Sequence, residues 1–304
     1  MKQLAILALA LTPILGVAAD LTINDGKAYV VGLDQQELVL DSLRIGDNAS
    51  IRFAPGVGSW RVQAAHAYIG SNVVVDGRGL AGTVGADGQP GQDCEATLDG
   101  AEGEEGVAGS DGVEIRFQLG LESLGWMQVL SAAGDGGAGG AGGDGAGLRA
   151  GCGLDTAGEG GNGGNGGEGG RGGDITFLYQ ALSNTESGDA MAARIEINAE
   201  GGNGGNGGDA GSGGLGSSGR YVSQKTLVGN RKWVVGSQGG LAGSPGASAS
   251  AGNPGRILID QLILSAAKPA VSAGSDFSIK ALQTQLRQLA KRVEALEAAK
   301  ANTP

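Results

Sequence analysis

Gly160-Gly161-Asn162-Gly163-Gly164-Asn165-Gly166-Gly167-Glu168-Gly169-Gly170-Arg171-Gly172-Gly173-Asp174 is a stretch of five Gly-Gly-x triplets in unbroken phase. Five related runs flank it. Run 1 places Gly79, Gly82, Gly85, Gly88 and Gly91 three apart, and run 2 does so with Gly100, Gly103, Gly106, Gly109 and Gly112. Run 3 (136–144) doubles the pattern to Gly-Gly-x, and the quoted stretch is run 4. Run 5 (201–209) repeats it and decays towards Gly214, and run 6 (240–255) carries Ala249 in one glycine slot. A period of three is the repeat of an extended left-handed helix with three residues per turn. Glycine at every third position leaves one face bare, so that another backbone can approach; Gly-Gly-x leaves two such faces. Pro90, Pro245 and Pro254 occupy non-glycine slots, where a fixed φ suits this conformation. Collagen is a poor match, since the runs are short and proline is scarce. The competing reading is a flexible glycine linker. Strict phase, similar lengths and apolar segments between most runs argue against it.

Chain geometry sets the expected direction. Run 1, at ~3.1 Å per residue, is ~40 Å long, whereas the link of residues 92–99 spans at most ~28 Å. Run 2 therefore returns antiparallel, and residues 148–159 imply the same for runs 3 and 4. Cys94 and Cys152, the two cysteines of the chain, both lie in these links. An up-and-down bundle brings them to one end, which predicts a Cys94–Cys152 disulfide.

The segments leaving the other end alternate apolar and polar residues, the mark of half-buried strands. Ile51-Arg52-Phe53 precedes Trp60-Arg61-Val62, and Ile115-Arg116-Phe117 precedes Trp126-Met127-Gln128-Val129. Ile175-Thr176-Phe177 precedes Ile195-Glu196-Ile197, and Ile257-Leu258-Ile259 precedes Leu262-Ile263-Leu264. Four copies of one strand-pair unit predict stacked coils of a β-helix-like module, with a β-sandwich as the alternative. At the C-terminus Ile279, Leu282, Leu286, Leu289, Val293 and Leu296 are spaced three and four apart, an a/d seam for a short coiled-coil helix and a homotrimer.

Composition bounds the function. Lys2, an apolar stretch and Val17-Ala18-Ala19 read as a secretory signal peptide. The expected location is secreted or cell-surface, with the periplasm possible, and with no membrane span after cleavage. A net charge of −11 argues against nucleic-acid binding. His66 is the only histidine, which argues against a His-based triad or a multi-His metal site. Residues 139–144 and 169–174 match a calcium-binding nonapeptide repeat only in part, because the period here is three. Glu95, Asp99, Glu102, Glu104 and Glu105 read as a solvated acidic face. The reading is non-enzymatic, with no catalytic residue, metal or cofactor.

The six period-three runs resemble polyglycine II proteins, among them the tip adhesins of T-even-like phages and the snow flea antifreeze proteins. The phage resemblance implies receptor binding through connectors at the bundle tip. The antifreeze resemblance implies an ice-binding face, which the charged and amide side chains of Asn162, Asn165, Glu168, Arg171, Asn203, Asn206 and Asp209 fit poorly.

The expected fold is mainly β and extended. A polyglycine II helical bundle of six antiparallel runs is inserted in the β-helix-like or β-sandwich module, and a coiled-coil helix follows. Its parts are a signal peptide (1–19), a β-module (20–78, with strands from 113–135, 174–200 and 256–266), the glycine bundle (79–255) and the helix (276–300). The expected function is adhesion to a glycan or anionic surface polymer through the connector of residues 215–239. That connector holds Arg220, Tyr221, Lys225, Arg231, Lys232 and Trp233 and no acidic residue. A structural matrix or filament subunit, and an ice-binding protein, are the alternatives.

Overall fold

The computed structural model describes residues 19–93, 98–148, 154–182, 188–223 and 231–262. Six strands follow one another through short turns: β1 (Asp20–Ile23), β2 (Ala28–Val31), β3 (Glu37–Ile45), β4 (Ser50–Phe53), β5 (Ser59–Ile69) and β6 (Val73–Asp76). Glycine runs then separate β7 (Glu114–Leu124) and β8 (Met127–Leu130) from β9 (Ile175–Ala181), α1 (Gly188–Ala192) and β10 (Ile195–Asn198). The hairpin strands β11 (Arg220–Ser223) and β12 (Arg231–Val234) come next, then β13 (Ile257–Gln261). One sheet has the order β1-β3-β5-β7-β9-β13 and a second has β10-β8-β6-β4-β2. Neighbours within both sheets are parallel, as in Ile115↔Ile175 and Val75↔Val129. The chain thus winds through stacked coils, five of which give one strand to each sheet, with β13 added to the larger one.

The core lies between the sheets because alternate residues of each strand point inward. Val62, Phe117, Phe177 and Ile259 share one row of the larger sheet. The rings of Phe53, Trp60, Phe117, Phe177 and Tyr179 form a chain with centroids 5.4–6.0 Å apart, edge-on or tilted. Such pairs contribute about 1 kcal/mol each beyond area burial. Turn residues stack in the same way: Asp25 Oδ1 accepts from the Asp47 amide, and Asp47 Oδ1 from that of Ser71, 22 and 24 residues apart. In later coils the partners lie 60 and 82 residues apart, as where the Arg171 and Arg256 amides donate to Asp111 and Asp174, because a pair of glycine runs has been let into the opposite turn of each coil.

The runs continue the sheets. Run 1 leaves β6, run 3 leaves β8 and run 5 leaves β10, while runs 2, 4 and 6 enter β7, β9 and β13. They form two layers, 1-3-5 and 2-4-6. Within a layer neighbours run parallel, as in Gly103 N→Asn162 O and Gly163 N→Ser244 O. Between layers they run antiparallel, as in Glu104 N→Ala86 O, Gly140 N→Glu104 O and Gly164 N→Gly140 O. Runs 3 and 4 each bond four neighbours and carry two glycines per triplet; runs 1 and 6 bond two and carry one. Glycine serves space here, since among the described glycines only Gly26 and Gly56 have positive φ. A β-carbon at Gly164 would overlap the carbonyl oxygen of Glu104, and one at Gly167 that of Val107. Pro245 and Pro254 sit on run 6 in the slots whose run 4 counterparts donate outward to the next run. Among the described residues no run lies beyond run 6, so the missing N–H costs no bond there.

This corrects the expected fold class. The chain is mainly β, with two large parallel sheets; it is not a polyglycine helical bundle set into a separate module, nor a β-sandwich, whose sheets are antiparallel. The one helix among the described residues has five residues. The physical reason is continuity: stacking of the strands sets the order and register of the glycine runs, which are extended carry-ons of the sheets and not an independent helical element. The predicted coiled-coil helix, with Ile279, Leu282, Leu286, Leu289, Val293 and Leu296, lies outside the described residues, as do Cys94, Cys152 and the signal peptide up to residue 18.

Candidate functional site

The connector between runs 5 and 6 stands at the end of the glycine slab remote from the sheets. Its base is tied by the Ser217 amide donating to Ser237 Oγ (2.8 Å) and the Ser237 amide to the Ser217 carbonyl (2.9 Å). Gln238 bridges to Thr156 in the link between runs 3 and 4. Above this base β11 and β12 pair antiparallel, with Arg220↔Val234, Tyr221↔Trp233, Val222↔Lys232 and Ser223↔Arg231.

Strand alternation sorts these residues into two faces. Tyr221, Ser223, Arg231 and Trp233 share one; Arg220, Val222, Lys232 and Val234 share the other. The Tyr221 and Trp233 rings meet edge to face, with centroids 4.7 Å apart. The indole lies over Gly219, where a β-carbon would come within 2.5 Å of its Cζ2. Glycine before the strand therefore makes room for the tryptophan. Tyr221 is 66% and Trp233 50% exposed, and Leu215 and Val235 beside the hairpin are more exposed still. Arg220, Arg231 and Lys232 are exposed and form no ion pair with a described residue. Lys225, also read as a site residue, lies outside the described residues.

Two acidic residues near this end bond within the slab. Asp99 Oδ1 accepts from the Glu159 amide, and Glu102 Oε1 from Asn162 Nδ2. They belong to a ladder across the outer face of the 2-4-6 layer. In it Asn162 and Asn165 also accept from the amides of Ser244 and Ala247. The outward x positions thus bind neighbouring runs, and no described carboxylate forms an ion pair with the cations of the hairpin.

Other arrangements depend on register and carry no signal in the sequence. His66 Nδ1 lies 2.8 Å from Glu122 Oε1 across two strands, and the Arg44 guanidinium sits 4.1 Å above the Tyr68 ring. Arg61 and Arg116 are brought side by side in adjacent strands. Among the described residues no helix is long and apolar enough to cross a membrane. No protein-family model, curated protein or solved structure matches the chain.

Proposed function

We propose that this is an exported, non-enzymatic binding protein that attaches to a glycan or anionic surface polymer through the β11–β12 hairpin. The observation that carries this reading is the exposed Tyr221–Trp233 pair with Arg231 on its own face and Arg220 and Lys232 behind it, all unpaired with described acidic residues. Aromatic faces stack on sugar rings, and guanidinium groups bond carboxylate or sulfate with charge assistance. The slab holds this group away from the sheets. Replacing Tyr221 and Trp233 together by Ala removes the stacking surface without touching the ladder or the core. Attachment to cells or immobilised glycans should then fall to background with an unchanged Tm. Attachment that survives, or that is lost only with unfolding, rejects the hairpin as the contact.

A second reading, a matrix or filament subunit, is favoured by β13, which is an edge of the larger sheet among the described residues and leaves Ile257 and Leu258 half exposed between Arg256 and Asp260. Self-association is proposed to rest on residues 279–304 as a trimer. Deleting them should give folded monomers by light scattering, and a full-length monomer rejects the trimer.

A further inference from the structure

The step where the glycine slab leaves the stacked coils forms an inside corner. β3 and β5 are entered from short turns, whereas β7 is entered from run 2, with the Glu114 amide bonded to the Gly58 carbonyl (2.9 Å). The ends of these three strands line an open notch of about 260 Å³ whose walls include Glu37, Ser59, Trp60, Arg61, Glu114 and Arg116. In register, Glu37, Arg61 and Arg116 stand on successive strands, and Ser59 stands beside Glu114. Arg61 leans towards Glu37 at 3.5 Å. Arg116 and Glu114 side chains have no partner among the described residues. Trp60 is buried, and its Nε1 is the side-chain polar atom left buried and unpartnered among the described residues.

Like charges side by side on adjacent strands are destabilising. Arg61 has an acid, Glu37, on one side and a second cation, Arg116, on the other. Arg116 keeps its whole donor fork free, and an anion in the notch relieves the repulsion between the two guanidinium groups. The flanking carboxylates of Glu37 and Glu114 repel a polyanion and accept hydrogen bonds from hydroxyl groups. The volume lies just below the usual range of small-molecule sites and suits a ligand of one ring. One ligand chemistry meets these conditions: one acid group, several hydroxyls, one ring.

We propose that this corner binds an acidic sugar of uronate type. Arg116 forks onto the carboxylate, Arg61 supports it, and Glu114 and Ser59 take ring hydroxyls. The site is separate from the hairpin and does not depend on its function. Calorimetric titration of the full-length protein with D-glucuronate and D-galacturonate, with glucose and acetate as controls, tests the assignment. Saturable uronate binding is expected, weakened at least tenfold in Arg116→Gln and partly kept in Arg116→Lys. The Tm of unliganded Arg116→Gln should be unchanged or raised, because a repulsion is removed. The absence of saturable uronate binding overturns the proposal, as does equal binding of glucose or acetate, or an unaffected Arg116→Gln. Uronate binding lost in the Tyr221→Ala/Trp233→Ala protein but kept in Arg116→Gln places the acid at the hairpin and also overturns it.

Discussion

The stacked coils and the glycine slab are two lengths of the same two layers, held apart in one and joined in the other. Between the sheets the space is filled by side chains such as Trp60, Phe117, Phe177 and Met127, all essentially buried, and sheets packed in this way stand about 10 Å apart. In the slab the inward positions are mostly glycine, and the layers close until amides of one bond carbonyls of the other, as at Gly164 N→Gly140 O and Gly205 N→Gly167 O. The seam is marked by Ser131, which is fully buried: its hydroxyl donates to the Val113 carbonyl and its own carbonyl accepts from Gly173. Burial of apolar surface is exchanged there for hydrogen bonds in two directions. Glycine loses the most entropy on ordering, and each bond returns only about 1 kcal/mol. The slab is therefore stable only as a lattice with every run in place.

The largest effect expected from that difference is at Gly164. A valine there has no vacant side to turn to, because its β-carbon already overlaps the Glu104 carbonyl and run 4 has neighbours on four sides. Gly164→Val should cost about 4 kcal/mol or more and raise amide exchange throughout runs 3 to 5 while β3 to β5 stay protected. A small, local effect would mean that the runs are not held in contact. Phe117→Ala comes next, at about 4 kcal/mol from the lost ring and the cavity left behind. Its effect should spread through the coils, since Phe117 touches both Trp60 and Phe177. Denaturant melts of the two variants, read by exchange in each region, separate the two kinds of cohesion.

The same contrast explains what could be read from sequence. Alternation at Ile115-Arg116-Phe117 and Ile175-Thr176-Phe177 is legible as strand because inward and outward residues differ in polarity. The hairpin cluster of Tyr221, Arg231, Lys232 and Trp233 was visible as composition, an acid-free connector in an acidic chain. Register was not legible. Partners 60 or 82 residues apart are set by coil stacking across inserted runs, and nothing local encodes them. The period of three reads as a free-standing helical bundle because spacing reports the run and not its neighbours. The same limit hid the Asp and Asn ladder and the notch beside Arg116, where each side chain has an ordinary local sequence and an unusual neighbour.

Asn165 offers a finer comparison with Gly164, one residue away and facing out. Its Oδ1 accepts from the Ala247 amide and its Nδ2 donates to Glu105, both at 3.0 Å and exposed. Asn165→Val removes both bonds without a clash, so the loss should be about 1 kcal/mol. Asn165→Asp keeps the acceptor but sets a carboxylate against Glu105, and acidifying the solution should recover part of its loss. If Asn165→Val proves as damaging as Gly164→Val, the ladder and not close approach holds the layers.

The smallest effect concerns protons. The Ser212 hydroxyl and then its amide donate to Asp144 Oδ1, at 2.6 and 2.8 Å, and hold that carboxyl below the usual range. At Asp174 burial works the other way, but bonds from the Arg256 amide and the Arg171 guanidinium outweigh it, and this carboxyl also lies low. A group depressed by folding supports the fold above its unfolded pKa of about 3.9 and withdraws that support as pH falls through its lower folded value. Amide exchange at Ser212 and at Gly145, which donates to the Ser212 carbonyl, should therefore quicken below about pH 4 after correction for the intrinsic rate. Asp144→Asn keeps an acceptor that does not titrate, and its exchange should show no such step. Amides around Phe117, with no carboxylate in their packing, should show none either. A step of equal size there would mean that acid loosens the whole molecule, and the distinction between a slab tied by carboxylates and a core tied by rings would fall.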